Sequence, residues 1–185
     1  GRAIQDKGCE VTILEKSRGP SGRLSSKRTP YGSIDMGLQL ITAESEAFKG
    51  FLEGWKDEGF LDYWQYDSEK QSAYVASPRM TAITRKLSED LTLRTETRAI
   101  GLRKKDKGWI VEIENGDPLE SDLVILATPA PQAVPLLEEM PEWKAKVASV
   151  EVTPNWTQLL AFDPGLNLEQ NSYSFDSDPI AWIAN

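Results

Sequence analysis

The residues best equipped for chemistry stand together near the start of the chain. Glu15 closes a short apolar run, Val11-Thr12-Ile13-Leu14, and Lys16, Arg18, Gly19, Gly22 and Arg23 come soon after it. A carboxylate at the end of a buried strand can accept hydrogen bonds from the hydroxyls of a ribose. A glycine-containing loop lets the main chain approach a pyrophosphate, and arginine offers that group a fixed fork of donors. The same residues also fit a plainer reading, in which a strand ends in a solvated acid and runs into a charged surface loop.

Positioning these groups requires a strand with the right neighbours. The β-branched and aliphatic content of residues 11–14 suits a strand of a parallel sheet. Ahead of it, Arg2 to Gly8 reads as the end of a helix closed by glycine, since Gly8 can adopt the left-handed conformation of a C-terminal cap. In a complete dinucleotide-binding unit, a strand and a G-x-G-x-x-G turn come before that helix, about 20 residues ahead of the acid. Neither lies within this sequence, so the chain is expected to be cut inside its first βα unit.

Glu15 to Arg23, followed by Gly32-Ser33-Ile34-Asp35-Met36-Gly37-Leu38-Gln39, resembles the flavin-containing amine oxidase superfamily, and within it the renalase-like FAD-dependent oxidoreductases. Family members carry a Glu, a Gly-Gly-Arg loop and then an Asp-x-Gly-x-Gln segment beside the flavin. This chain departs at Ser21, where a glycine is usual, and at Leu40 and Ile41, where aromatics are common. The resemblance implies bound FAD. It places Glu15 at the ribose, Arg18, Gly22 and Arg23 along the pyrophosphate and Gln39 closest to the isoalloxazine, with Lys16, Gly37 and Leu38 also among the cofactor-binding residues. It also implies backbone bonds from Ala99 to the adenine, with Ala127 and Thr128 near the dinucleotide. No catalytic side chain and no metal ligand is assigned.

The implied fold is α/β: an FAD-binding, Rossmann-like domain (parallel sheet plus β-meander) with an inserted α+β substrate domain, both incomplete. The nucleotide domain is expected over 1–40 and 79–145, and the partial substrate domain over 41–78 and 146–185. Relatives continue well past the last residue here, so the piece is expected to be truncated at both ends, inactive alone and poorly stable with its strand edges open.

Composition narrows the classes. Of 185 residues, 39% are hydrophobic and 27% charged, as in a globular protein and not a disordered one. A net charge of −8 argues against non-specific nucleic-acid binding, which needs surplus Lys and Arg. One cysteine, Cys9, rules out an intrachain disulfide and suits a reducing, cytoplasmic compartment. With no histidine besides, zinc and haem sites are disfavoured. No apolar run approaches the roughly 18 residues a membrane span needs. The expected partner is a small-molecule substrate, without nucleic acid or membrane.

Further along, Ser45 to Trp55 predicts a capped helix with Phe48, Phe51, Leu52 and Trp55 on its core face. Residues 59–66 predict a strand. Residues 74–87 predict strand, turn and a helix capped by Thr81. Leu91 to Thr95 predicts another strand, and Arg98–Arg103 with Trp109–Glu114 a meander across the turn 105–108. Asp122 to Pro129 is a continuous apolar run, the mark of a strand buried on both faces, ending in small residues at the carboxyl edge of the sheet. Helices are expected from Pro131 and Pro141, strand–turn–strand over 150–162, and a strand over 179–185.

The function expected is hydride removal from a C–H next to nitrogen, in an amine or dihydronicotinamide-type substrate, with reoxidation by O₂ or another acceptor. The alternative is a non-catalytic nucleotide-fold remnant that no longer binds FAD. The Rossmann-like fold is expected to be of the NAD(P)-binding kind, but a nicotinamide-dependent dehydrogenase of simple Rossmann type is disfavoured, because the meander interrupts βαβ alternation.

Overall fold

The computed structural model describes residues 1–65, 72–176 and 179–184. In chain order the elements begin α1 (Arg2–Gln5), β1 (Thr12–Leu14), a 3-10 turn (Gly22–Leu24), β2 (Ser26–Thr29) and β3 (Gly32–Asp35). They go on with α2 (Glu46–Asp57), β4 (Leu61–Gln65), β5 (Ser72–Ala76), α3 (Thr81–Ser88) and β6 (Thr92–Arg94). Next come β7 (Ala99–Lys104), β8 (Trp109–Ile113), β9 (Leu119–Ser121), α4 (Ala130–Ala133) and a 3-10 turn (Val134–Leu137). The last are α5 (Pro141–Ala148), β10 (Ser172–Ser174) and β11 (Trp182–Ala184). The contacts divide the chain into two units: Gly1–Pro20 with Asp90–Trp156, and Ser21–Glu89 with Thr157–Asn185.

In the first unit β1 and β6 form a parallel pair in the register Thr12↔Thr92, Ile13↔Leu93, Leu14↔Arg94. Gly8 takes the positive φ, +85°, that a turn from α1 into β1 requires. β7, β8 and β9 make the antiparallel meander, one strand longer than expected, with Trp109 opposite Ser121. Leu102, Val111, Leu136 and Leu137 form the core, and Leu14, Val124 and Leu126 pack against it.

Two expectations are corrected here. Residues 122–128 join no strand ladder among the described residues. The run is also not buried on both faces, since Leu123 and Ile125 are 65% and 63% exposed while Val124 and Leu126 turn inward. Apolar composition signals a demand for burial but does not name the strand that would meet it. Likewise, the helix expected from Pro131 is four residues of α-helix followed by a 3-10 turn. Pro135, inside that turn, has no N–H to continue the helical ladder.

The second unit is built on two antiparallel hairpins. β2 and β3 pair from Ser26↔Asp35 to Thr29↔Gly32, and β4 and β5 from Leu61↔Ala76 to Gln65↔Ser72. Its core is Leu52, Leu61, Tyr74, Ala76, Met80 and Ile83, with Trp55 and Phe60 at the margin. Ser45 caps α2 as expected, accepting the Phe48 N–H at 3.3 Å. Of the four apolar residues assigned to its core face, Leu52 is buried and Trp55 packs against the core, whereas Phe48 and Phe51 are 41% and 65% exposed. No strand forms over 150–162, where Val150, Val152, Leu160 and Phe162 all stay exposed and give an alternating pattern no packed face to settle on. β11 occupies the expected last strand, and β10 is its antiparallel partner. Tyr66 and Asn185, the ends of two predicted strands, lie outside the described residues.

A polar cluster ties α2 to the second hairpin. Glu53 Oε1 accepts the Tyr74 hydroxyl at 2.7 Å and also the Tyr63 hydroxyl, while Lys56 Nζ lies 3.7 Å from Oε2. The two phenol hydrogen bonds, Tyr63 first, hold the Glu53 carboxyl below its usual range. The Glu53 carboxylate in turn raises Tyr74. Glu53 therefore contributes stability above its ordinary pKa of 4.5 and loses it as pH falls through the lower folded value. Tyr74, raised, contributes below its ordinary value and loses the contribution as pH climbs through the folded one. Glu53→Gln keeps an acceptor for both phenols but removes the titration. Its urea midpoint should fall less steeply than that of the parent below about pH 4.5. Parallel acid limbs would show that Glu53 carries none of the acid sensitivity.

Candidate functional site

The expected cofactor-binding residues fall into two clusters, one in each unit. In the first unit, β1 and β6 keep exchanging main-chain bonds beyond their last paired residues. Glu15 N–H donates to Arg94 O at 2.9 Å, Thr97 N–H to Glu15 O at 3.0 Å, and Glu96 N–H to Ser17 O at 3.0 Å. Glu15 thus sits, half-buried, at the carboxyl end of two parallel strands, the edge at which open α/β sheets bind ligands. Its Oε1 accepts the Ser17 N–H at 2.7 Å, which fixes the carboxylate in place. A carboxylate has further acceptor positions, so a ribose hydroxyl can still be received there.

Lys16 reaches across this edge, its Nζ 3.2 Å from Gln132 Oε1 in α4. That bond brings the end of β1 to the helix that starts just past Ala127 and Thr128, both of which are exposed. Arg18 is exposed, and Ala99, half-buried, is the first residue of β7. So Lys16, next to Glu15, meets α4 just past Thr128. Gln132 was not singled out by sequence, because nothing in a helix-start glutamine marks a partner more than a hundred positions away.

In the second unit the loop with Gly22 and Arg23 is stitched to the segment with Gly37, Leu38 and Gln39. Leu38 N–H donates to Arg23 O at 2.8 Å, Met36 N–H to Ser25 O at 2.9 Å, and Gly37 N–H to the same Ser25 oxygen at 3.3 Å. A Cβ added to Gly37 would lie 2.7 Å from the Arg23 carbonyl carbon and closer still to its oxygen. Glycine is required at position 37 by this approach of two backbones. The Arg23 side chain and Leu38 are exposed, Gln39 is half-buried, and Gly22 takes a positive φ of +49°. Segments that are 14 residues apart in sequence, Arg23 and Gly37, thus form one double-stranded strip.

The polar group behind this strip is Asp35, which sequence reading passed over as part of the motif. Its carboxylate accepts the Ser26 hydroxyl and the Met80 N–H. The predicted cap of α3, Thr81, is instead the first residue of the helix, and the N-cap residue, Met80, makes no side-chain cap bond.

Each cluster by itself carries groups of the kind that bind part of a nucleotide. One cluster offers a held carboxylate at a strand end beside exposed cations. The other offers a Cβ-free backbone strip with an arginine on it. Residues 44–174, well over half of the chain, match the flavin-containing amine oxidoreductase family. That range takes in Ala99, Ala127 and Thr128 and begins after Gln39. Among solved structures, the chain is similar to a protein from Exiguobacterium sp. 255-15 assigned as a protoporphyrinogen oxidase, with a TM-score of 0.58 and 13% identity. The match covers 76% of this chain and 58% of that one. At that identity the likeness speaks for the fold, a flavin-oxidase-like mixture of α and β. Among the described residues no helix is long and apolar enough to cross a membrane.

Proposed function

Since the chain belongs to the flavin-containing amine oxidoreductase family, which implies a flavin cofactor, we propose that it is a renalase-like FAD-dependent oxidoreductase acting on a C–H next to nitrogen. Its small-molecule substrate is an amine or a dihydronicotinamide-type compound, and its acceptor O₂ or another oxidant. When bound, FAD supplies the hydride-accepting ring; the protein contributes binding, aim and electrostatics.

Each residue has a defined task in this reading. Glu15 receives the ribose hydroxyls, and Lys16, Arg18 and Arg23 face the pyrophosphate charge with Gly22 allowing close approach. Gly37, Leu38 and Gln39 lie along the ring, Ala99 serves the adenine through its main chain, and Ala127 and Thr128 leave room at the sheet edge. The domain division is then functional, with FAD held by 1–40 and 79–145 and substrate by 41–78 and 146–185. A cytoplasmic location is part of the same reading, resting on the single cysteine.

The observation that supports it most is the Arg23–Gly37 strip, where main chain approaches main chain with no room for a Cβ. Arg23 and Leu38 stay exposed on that strip, where a ligand can reach them. The test is a titration of the intact apoprotein with FAD, parent against Glu15→Ala. Losing the ribose acceptor should weaken binding by about 1–3 kcal/mol. Equal affinity would take Glu15 off the site, and no uptake by the parent would favour the non-catalytic remnant.

A further inference from the structure

Helix α3 begins without a cap of its own. Its first turn holds no acidic residue, and Met80, the residue ahead of it, has no side-chain acceptor for the free N–H groups there. Asp35, at the end of β3, supplies what is missing. The Met80 N–H lies 3.2 Å from Asp35 Oδ1 and 3.3 Å from Oδ2. Ser26, directly opposite Asp35 in the β2–β3 hairpin, donates its hydroxyl to Oδ1, and its Oγ lies 3.4 Å from Thr81 Oγ1. A carboxylate at a helix N-terminus is favoured by the helix dipole as well as by the bonds it accepts.

The three residues after Asp35 give this cap its consequence. Met36, Gly37 and Leu38 donate in succession to Ser25 and Arg23, so the strip is anchored at one end by main-chain bonds and at the other by Asp35. Met80 is fully buried in the core of the unit, which makes the N-terminus of α3 a fixed point. We propose that Asp35 is a positioning residue: gripping the start of α3, it sets where Gly37, Leu38 and Gln39 lie against Arg23. This rests on the flavin reading only for its functional consequence. Asp35 acts through the strip, and the Asp of the Asp-x-Gly segment serves as a tertiary helix cap.

The test compares Asp35→Ala, Asp35→Asn and Ser26→Ala in the intact protein. Amide hydrogen exchange is read without cofactor, and FAD affinity, the visible flavin band and the reduction potential in the holoenzyme. Asp35→Ala should speed exchange about tenfold at 80–83 and also at 36–38, leaving 99–113 unchanged, and should shift band and potential together with about tenfold weaker FAD binding. Asp35→Asn, which retains an acceptor oxygen, should recover most of both. Faster exchange at 80–83 with 36–38 unaltered would overturn the proposal and leave Asp35 a plain cap, whatever the outcome with FAD. If Asp35→Ala does not fold, Ser26→Ala decides: a smaller rise at both segments supports the coupling, and a rise at 80–83 alone refutes it. A parent that takes up no FAD would remove the flavin reading while the exchange data still judged the positioning.

Discussion

Gly37→Ala is expected to be among the most damaging single-methyl changes in this protein. The new Cβ would meet the Arg23 carbonyl, 2.7 Å from its carbon, and the obstacle is main chain that no rotamer change can move aside. Relief requires the strip to open, breaking the Leu38 N–H to Arg23 O bond and those of Met36 and Gly37 to Ser25. Overpacking of this kind costs about 1–3 kcal/mol, with lost bonds adding to it. FAD affinity should fall further than with Glu15→Ala, because both backbones of the strip are displaced. Urea midpoints and an FAD titration read the two effects separately. An alanine variant matching the parent in both would mean that residues 23 and 37 do not approach so closely.

Leu52→Ala should cost stability at a residue that is not itself part of the site. Leu52 is fully buried among Leu61, Tyr74, Ala76, Met80 and Ile83, and large-to-small changes in such cores cost about 2–5 kcal/mol. Its helical neighbour Phe51, 65% exposed, should lose no more than about 0.5 kcal/mol on the same truncation. Denaturant unfolding at constant slope separates the two. Equal losses would mean that α2 packs through a different face.

That contrast shows where sequence was a sufficient guide and where it was not. The existence of α2, its Ser45 cap and its apolar spacing were legible from local chemistry, but which two of four apolar residues turn inward is set by the β4–β5 hairpin. Glu15 at the end of β1 was legible too, since a β-branched run stopping at an acid carries both the strand and its terminus. The β2–β3 hairpin was not. Ser26-Lys27-Arg28-Thr29 has no apolar alternation to mark a strand, so its pairing with Gly32–Asp35 leaves no local signal. Asp35 lay in plain view in the motif, yet its partner, Met80, is 45 positions away. Tertiary caps leave no periodic trace. At 122–128 the apolar run was read from composition as a strand buried twice over, and Leu123 and Ile125 are exposed there.

The central claim is that this family member binds a flavin. The visible absorption spectrum of the intact protein, purified and then incubated with FAD and desalted, tests it most directly. The account predicts paired flavin bands that stay with the protein through desalting and bleach under anaerobic reduction. A protein that emerges colourless, and remains so after incubation, would contradict it.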